Sequence, residues 1–423
     1  MVERYTILCK ISTYNSLIYM TKKKIIFLKS LHFDSLLFKK LDFQKYIDNK
    51  KIETEFWRYD NHDAIKDLKV NEMLQKRLSK ENELGEKLKK FSNFWDFFKL
   101  LRTTNKDCYI YDIDFLIRNP FFSLLLKLFG ARLIFHGHAN FPIVKLKKKE
   151  IKQKIKEIPI RKYLIFFSKF IAFISKKITN KLVKPKLDIF FYNGDYEKIL
   201  SNKISKKGVS LFTRDYEQYL SELKNNSPRL IEDDYILFLD QGYPVPYDNY
   251  FSSEDPVTTE EKYKSGMINF LKSLGQFYKK KKIIVALHPN SSRDKFYDFK
   301  SFKGYTNHLV RHSSLVVGHD SISLQFVALW KKPCLLIYNQ DMISRFTKKV
   351  EIEWFKDNMS LESLNIDNFN TQKLAFKLSS IESNFDKNRY DTFVNKFLRD
   401  RANGEKKDLS KTQLIIDEII HHH

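Results

Sequence analysis

The sequence predicts an α/β protein with two doubly wound domains, each built on a parallel sheet. The chain has 423 residues, which is more than one ordinary hydrophobic core accommodates. Short apolar runs such as residues 283–287 (IIVAL) and 314–317 (SLVV) are typical of parallel strands that helices cover on both faces. In both halves of the chain such runs are followed by a polar loop and a helical pattern, which predicts parallel sheets.

The first half alternates predicted strands with predicted helices. A helix is predicted over residues 120–129, because Pro120 suits a first helical turn and Gly130 suits a C-terminal cap. Residues 39–100 carry many charges, with Leu, Phe and Trp at helical spacing, and are predicted to be mostly helical. Strands are predicted at residues 22–28, 108–111, 132–135 and 187–192.

The second half begins after a polar stretch. Residues 201–234 are irregular and predict a linker between the domains. Residues 235–239 (YILFL) then open a second series of strands, with a helix predicted over 260–280 and further helices from 367 to 420. The predicted parts are a first domain over residues 1–215, a second domain over 228–385, C-terminal helices over 386–420 that pack back on the first domain, and an affinity-tag remnant at 421–423.

The overall charge and the cysteines limit the classes of protein to which the chain can belong. The net charge is +25, but Lys, Ile, Phe, Tyr and Asn are all abundant while only 11 residues are Gly, so part of the basicity reflects a biased composition. No nucleic-acid-binding module accompanies the charge, and no nucleic-acid partner is expected. Cys9, Cys108 and Cys334 lie far apart without metal-binding spacing, and no signal peptide is evident. These features predict a cytoplasmic protein without a disulfide framework.

One segment concentrates the positive charge. Residues 145–187 contain fifteen Lys or Arg and two Glu around an aromatic-rich apolar core. That core is shorter than the roughly 20 apolar residues that a membrane-spanning helix needs. One hypothesis is a helix that lies on an anionic membrane surface, and the other is a helix packed on the core with a solvated Lys face.

Polar and small residues follow two of the predicted strands in the second half. One cluster follows residues 283–287 and the other follows residues 314–317. We expect the two clusters to meet at the carboxyl edge of one sheet, where open α/β sheets bind ligands. The second cluster also stands where a helix begins, and the free amides of a helix start suit a phosphate. The candidate phosphate-binding residues are His288, Pro289, Asn290, Ser291, His319, Asp320, Ser321 and Ser323.

Three motifs of the second half resemble those of a known transferase family. They are LFLDQGYP (residues 237–244), ALHPNSS (286–292) and VVGHDSISLQFVALWKKPCLLIY (316–338). An acidic–Gly motif, a His–Pro motif and a paired-serine motif in this order resemble the GT-B bacterial sialyltransferases and polysialyltransferases. The motifs are also similar to a group of surface-carbohydrate transferases and, more distantly, to the glycerophosphotransferases that build teichoic acids. The resemblance covers residues 235–338 and implies the GT-B fold, two Rossmann-like domains facing across a cleft.

The resemblance implies an inverting glycosyltransferase of bacterial capsule, lipooligosaccharide or O-antigen synthesis, acting at the inner face of the cytoplasmic membrane. The sialyltransferase and teichoic-acid groups both release CMP, which favours a CMP-activated acidic sugar as donor, such as a sialic-acid-like nonulosonate or Kdo. The acceptor would be a glycan or a lipid-linked glycan. Two alternatives stay open: a transferase that uses UDP-hexose, GDP-hexose or CDP-glycerol, and a non-catalytic scaffold at the membrane surface.

The chemistry of an inverting transfer assigns roles to the motif residues. It needs a base for the acceptor hydroxyl and stabilisation of the departing phosphate. The acidic motif of the family implies Asp240 as the base, and the alternative is an aspartate that caps a turn. The His–Pro motif implies that His288 contacts the phosphate or acts as an acid, and the alternative is a hydrogen-bonded core histidine. Ser321 and Ser323 would cradle the phosphate, with capping of the following helix as the alternative.

The remaining candidates are distributed over both domains. His319 is predicted as a second phosphate contact or as an orienting group. Gly242, His136, His138 and Asn140 are predicted to face the donor or the acceptor. His136 and His138 have no carboxylates nearby in sequence, and GT-B enzymes lack the Asp-x-Asp metal motif that is typical of GT-A enzymes. Metal-independent transfer without a cofactor is therefore expected.

Overall fold

A computed structural model of the chain describes most of both domains. The thirteen strands within its described residues form two sheets in which every pairing is parallel. The described residues are 23–30, 47, 50, 52–59, 82–104, 107–112, 120–137, 186–225, 227–243, 258–289, 291, 296, 298–344, 346–399 and 410–421. The basic segment over residues 145–187 lies outside them except for its last two residues.

The first sheet has seven strands in the order β3-β2-β1-β4-β5-β6-β7. The strands are β1 (Lys24–Ser30), β2 (Glu53–Tyr59), β3 (Leu88–Phe91), β4 (Cys108–Asp112), β5 (Arg132–His136), β6 (Leu187–Asn193) and β7 (Ser205–Leu211). The helices described between them are a 3-10 turn (Asn82–Lys87), α1 (Phe94–Leu101), α2 (Pro120–Leu128) and α3 (Gly194–Ile204). The predicted strands and the predicted helix of this half are all present, with ends that shift by one or two residues.

The second sheet has six strands in the order β10-β9-β8-β11-β12-β13. The strands are β8 (Tyr235–Leu239), β9 (Lys282–Leu287), β10 (Lys300–Lys303), β11 (Leu315–Gly318), β12 (Cys334–Tyr338) and β13 (Glu362–Asn365). The remaining helices are α4 (Arg214–Asn225), α5 (Glu260–Phe277), α6 (Thr306–His312), α7 (Leu324–Trp330), α8 (Gln340–Ser344), α9 (Phe346–Met359), α10 (Thr371–Asn384), α11 (Lys387–Phe393), a π-helical turn (Val394–Leu398) and α12 (Lys411–His421).

Both sheets are apolar on their two faces. Successive side chains of a strand point to opposite faces, and in β8 Leu237 and Leu239 pack in one core while Ile236 and Phe238 pack in another. The strands of the first sheet divide in the same way between two further cores. Each sheet begins at its centre and grows outward in the 3-2-1-4-5-6 order of a Rossmann-like domain. The predicted fold class, two doubly wound α/β domains, is confirmed.

The prediction that residues 39–100 are mostly helical was wrong for β2 and β3. The charged residues of β2 (ETEFWRY) hide its strand character in the sequence. Glu55 is nevertheless buried. Its carboxylate accepts hydrogen bonds from Lys24 on β1, from Lys89 on β3 at 2.8 Å and from Trp57 at 3.0 Å. Two lysines from the neighbouring strands therefore neutralise a charge that would otherwise oppose burial.

The prediction of a linker over residues 201–234 was also wrong for most of that range. The end of α3, then β7 and then α4 occupy residues 201–225. The sequence of β7 (SKKGVSL) is polar because β7 is an edge strand, and edge strands commonly carry Lys. Helix α4 packs on the second domain, where the Glu222 carboxylate lies 2.7 Å from His308 Nδ1 and Tyr216 joins the core.

The C-terminal part of the chain returns to the first domain. Ile415, Ile416 and Ile419 of α12 pack in a core of the first sheet. Before it, the π-helical turn shares a core with the second domain, while the Leu398 carbonyl accepts a hydrogen bond from Thr213 N at 2.9 Å. The segment after β13 therefore touches both domains and ties them together.

The backbone of this connecting segment passes close to Gly194, the first residue of α3. Its φ is +65°, and a Cβ added there would overlap the Lys396 carbonyl and lie 2.7 Å from the Phe397 Cα. We expect Gly194→Ala to lower the free energy of unfolding by at least about 2 kcal/mol, because strain and overlap add. Urea denaturation measures the loss.

Gly266→Ala in α5 is the matched control for this substitution. A Cβ at Gly266 meets no atom within 4 Å. Alanine is favoured over glycine inside helices by up to about 1 kcal/mol, so stability should be unchanged or higher. Equal effects of the two substitutions would contradict the close approach at Gly194.

Candidate functional site

Three neighbouring strands of the second sheet end together in polar loops. Strand β8 pairs with β9 on one side and with β11 on the other. The chain leaves β8 first toward β9 and later toward β11, so the gap beyond these strand ends is the topological switch point of the sheet. Gln241, after β8, bridges this gap with a hydrogen bond from Nε2 to the Asp320 carbonyl at 2.8 Å. The structure thus brings the predicted strand-end clusters together.

Asp240 fixes the loops that follow β8 and β9. Its Oδ1 accepts a hydrogen bond from Gly242 N at 3.1 Å. Its Oδ2 accepts one from His288 N at 3.1 Å and another from the Ser291 hydroxyl. The carboxylate is buried, and both of its oxygens are engaged within the protein. This is the geometry of the turn-capping alternative, and the role of Asp240 as a base stays a prediction.

His288 and Gly242 lie against each other at this edge. Gly242 has a φ of +77°, and a Cβ placed on it would stand 3.1 Å from His288 Nδ1. The glycine therefore serves both the left-handed turn and the close approach of the imidazole. His288 is half-buried and Pro289 is exposed, whereas Ser291 is buried beneath them. His288 is thus placed where a ligand at the switch point would meet it.

His319 lies beneath the switch point, and its predicted role as a phosphate contact or an orienting group stays a prediction. It is fully buried, and its Nδ1 lies 2.8 Å from the Ile337 carbonyl while its Nε2 lies 2.9 Å from the Tyr263 hydroxyl. Because a carbonyl only accepts, Nδ1 carries the proton and Nε2 accepts the tyrosine proton. Burial raises the pKa of Tyr263 well above its usual value, which keeps this hydroxyl a donor. Both ring nitrogens are used inside the domain.

Asp320 is also buried beneath the site, and its phosphate contact stays a prediction. Its Oδ1 accepts a hydrogen bond from the Tyr243 hydroxyl at 3.3 Å, and its Oδ2 lies 2.8 Å from Lys348 Nζ. Burial raises the pKa of Asp320 to about 7. Burial alone would lower the pKa of Lys348, but the carboxylates of Asp320 and Glu351 outweigh it and raise that pKa. The buried pair anchors the loop after β11.

The serine turn remains at the surface. Ser321 and Ser323 are partly exposed and flank Ile322, which is exposed at the tip. The Ser321 hydroxyl accepts a hydrogen bond from Ser323 N at 3.2 Å, and the Ser321 carbonyl accepts one from Leu324 N at 3.0 Å. Ser323 precedes α7 without a side-chain capping bond. The phosphate-cradle role of both serines stays a prediction.

The first-domain candidates are only partly described. His136 ends β5 and is buried, with Nδ1 2.6 Å from the Tyr111 hydroxyl. The backbone carbonyl of Gly137 accepts a hydrogen bond from Asn193 Nδ2 at 2.6 Å, which joins the ends of β5 and β6. Among the other candidates, His138, Asn140 and Asn290 lie outside the described residues.

Sequence reasoning missed Gln241 and Lys303 as site residues. Gln241 Oε1 is buried and has no hydrogen-bond partner among the described residues. An unsatisfied buried acceptor costs about 1–3 kcal/mol, so Gln241 is a candidate for accepting a hydrogen bond from a ligand. Lys303, at the end of β10, donates to the Ser291 carbonyl at 2.8 Å and adds positive charge to this edge. The place of Gln241 in the strand-end motif could have identified it as a site residue. No sequence pattern marks Lys303.

Among the residues that the structure describes, no group of three or more His, Cys, Asp or Glu side chains could hold a metal ion. Likewise, the helices described in the structure include none that is long and apolar enough to cross a membrane. Independence from metals and cofactors stays a prediction.

Comparison with known proteins finds similarity of fold alone. No family model matches the chain, and no curated protein matches it in sequence. Similar solved structures include the glycotransferase of kitacinnamycin, at 8% identity and a TM-score of 0.48 over 94% of this chain and 99% of that one. MurG of Acinetobacter baumannii matches at 7% identity and a TM-score of 0.46 over 94% and 99%. The wall teichoic acid polymerase TagF H548A matches at 14% identity and a TM-score of 0.44, over 94% of this chain and 88% of that one. At these values nothing follows about substrate.

The Lys348–Asp320 pair under the site generates a stability prediction. Lys348→Met should lower the free energy of unfolding by about 3 kcal/mol, because it leaves a buried carboxyl without its cation. The Asp320 carboxyl then has a folded pKa raised further above its unfolded value of 3.8, so stability falls as pH rises through that window. Urea denaturation near pH 5 and pH 8 should show the larger loss at the higher pH.

Lys349→Met is the control, since Lys349 is exposed on the same helix. It should change stability little at either pH. A loss for Lys348→Met that does not depend on pH would assign its effect to packing of the lysine stem.

Proposed function

We propose that the chain is a nucleotide-sugar-dependent glycosyltransferase that binds its donor nucleotide at the switch point of the second sheet. The observation that carries the proposal is the convergence of His288, Gln241 and Ser321 at the ends of three adjacent strands. Open α/β sheets bind their ligands at this place. The groups gathered there include an imidazole, an amide oxygen and hydroxyls, which suit a phosphate and a ribose or base.

His288 is the proposed contact to the donor phosphate. The imidazole is half-buried beside Gly242, and its backbone is held by the Asp240 carboxylate. A hydrogen-bond donor that is held in place before the reaction stabilises the negative charge that develops on the departing phosphate. The surface hydroxyls of Ser321 and Ser323 support the same charge from the neighbouring loop, and Gln241 Oε1 accepts from a hydroxyl or amino group of the nucleotide.

Asp240 is proposed to position this group. A carboxylate that accepts hydrogen bonds from two backbone amides and a hydroxyl is a weaker base than a free one. It also lies 6% exposed, which limits its access to an acceptor hydroxyl. The sialyltransferase resemblance implies a base, which affects the transfer step alone. This geometry favours a positioning role, which also affects nucleotide binding.

The preferred donor is a CMP-activated acidic sugar, a sialic-acid-like nonulosonate or Kdo. The support is the order of the acidic–Gly, His–Pro and Ser-x-Ser motifs. The acceptor is proposed to be a glycan or a lipid-linked glycan at the inner face of the cytoplasmic membrane. The positive charge of the chain suits both an anionic donor and an anionic membrane surface.

Thermal-shift titration with CMP, CDP, UDP and GDP tests the proposal. A ligand that binds only the folded state raises the melting temperature with the logarithm of its concentration over Kd. We expect the largest shift with CMP, and His288→Ala should weaken CMP binding about tenfold, as loss of one charge-assisted hydrogen bond would. His312→Ala, at the opposite edge of the sheet, is the control. A melting-temperature shift with UDP or GDP alone would indicate a nucleotide-activated hexose as donor, and a shift with CDP alone would indicate CDP-glycerol. No shift with any of the four nucleotides would favour the non-catalytic scaffold.

Asp240→Asn separates the two roles of Asp240. Asn keeps only one of the two carboxylate oxygens, so one of the N–H groups that Asp240 holds loses its acceptor. If the carboxylate positions His288, the CMP shift and the transfer rate should therefore both fall. Ser291→Ala should then reproduce part of the loss. We expect this outcome. A full CMP shift with transfer abolished, in Asp240→Asn alone, would instead restore the base role.

A further inference from the structure

Helices α1 and α2 of the first domain present large apolar side chains to solvent. Trp95 and Leu128 are each 70% exposed, Phe121 is 49% exposed and Phe94 is 38% exposed. The ring of Phe94 lies 5.5 Å from that of Trp95 and 6.1 Å from that of Phe121. The three aromatic rings therefore form one continuous surface across two helices. We name Phe94, Trp95 and Phe121 the aromatic patch.

A patch of this kind is unusual on a surface that only meets water. Single exposed apolar residues are common, but contiguous ones mark a surface that binds something. The buried faces of the same helices are already satisfied, since Phe97, Leu101 and Leu126 pack in the core of the first sheet. The exposed aromatic residues are therefore an additional feature and not a by-product of core packing.

Positive charge lies along the same stripe of α1. Lys99 and Arg102 follow Trp95 by four and seven residues, a spacing that places all three on one side of the helix. Lys99 is 80% exposed, and the Arg102 guanidinium lies 5.3 Å from the centre of the Phe98 ring. The one acidic side chain of α1, Asp96, accepts a hydrogen bond from Asn93 Nδ2 at 2.8 Å and also lies 4.0 Å from Lys99 Nζ, an exposed pair that leaves the ammonium group accessible. Aromatic rings flanked by cations match an anionic lipid surface.

The patch borders the carboxyl edge of the first sheet. Helix α1 begins three residues after the end of β3, and α2 follows β4. A helix that returns along a parallel sheet begins at the carboxyl edge, so Phe94, Trp95 and Phe121, in the first turns, stand at that edge. The end of β5 with His136 lies at the same edge.

We propose that the aromatic patch docks on an anionic lipid bilayer and holds the carboxyl edge of the first domain against the membrane. Docking itself follows from the patch and its cations. The purpose of docking would be to present a lipid-borne acceptor to this edge, and that purpose rests on the proposed glycosyltransferase function. Trp and Phe enter the headgroup region while Lys99 and Arg102 meet the phosphates. A second copy of the chain or another protein would gain less from the flanking cations, because protein surfaces do not present a dense layer of anions.

Co-sedimentation of the full chain with lipid vesicles tests the proposal. Vesicles of phosphatidylcholine alone are compared with vesicles that also contain phosphatidylglycerol. The wild-type chain should bind the anionic vesicles more tightly. Trp95→Ser combined with Phe121→Ser should weaken that binding about tenfold or more, in proportion to the apolar area removed from the interface. Lys99→Glu with Arg102→Glu should weaken binding to anionic vesicles only.

Phe376→Ser is the matched control, since Phe376 on α10 of the second domain is also 70% exposed. It should leave vesicle binding unchanged, and the melting temperatures should show that every variant folds. Vesicle binding that survives the Trp95/Phe121 double substitution would overturn the proposal, as would a wild-type chain that ignores anionic vesicles. Light scattering that shows loss of a dimer in the double variant would assign the patch to self-association instead. Because nucleotide shifts do not depend on vesicles, these outcomes are separate from failure of the proposed function.

Discussion

The parallel pairing of β8 with both β9 and β11 is the constraint on which the candidate site depends. β8 is the first strand of its domain and lies at the centre of its sheet, and both of its faces are buried. The strands that follow must add on either side of it, which opens a switch point beside its carboxyl end. Residues that are 48 positions apart, Asp240 and His288, become hydrogen-bonded neighbours for this reason. The site is a consequence of strand order more than of any single motif.

The groups offered to a ligand depend on a second layer of buried polar contacts. The Tyr263 hydroxyl and the Ile337 carbonyl hold His319, while Lys348 and Tyr243 hold Asp320. These contacts fix the backbone of the loop after β11, so that Ser321 and Ser323 stand at the surface in one arrangement. Polar groups that are fully satisfied inside a domain specify a single geometry, which is what a site needs before its ligand arrives.

The two domains have different proposed roles. The second offers the switch point, and the first offers a sheet edge bordered by the aromatic patch. Their connection is made by α4, by the π-helical turn and by α12, which packs on the first sheet after the chain has completed the second domain. This connection joins the domain of the proposed donor site to the domain whose edge is proposed to present the acceptor.

The sequence by itself determined the strands that are continuous apolar runs, the two-domain α/β class and the polar clusters at the ends of β8, β9 and β11. Such runs have few alternatives, because a short apolar segment between polar loops must be buried. It did not determine β2, whose Glu55 is neutralised by lysines from two other strands, nor β7, which is polar because it lies at an edge. The hydrogen-bond and ion-pair partners of Asp240, His319 and Asp320 were likewise decided by tertiary structure. Whether a polar side chain faces a ligand or supports a loop depends on partners that are distant in sequence, and these only the folded chain brings into contact.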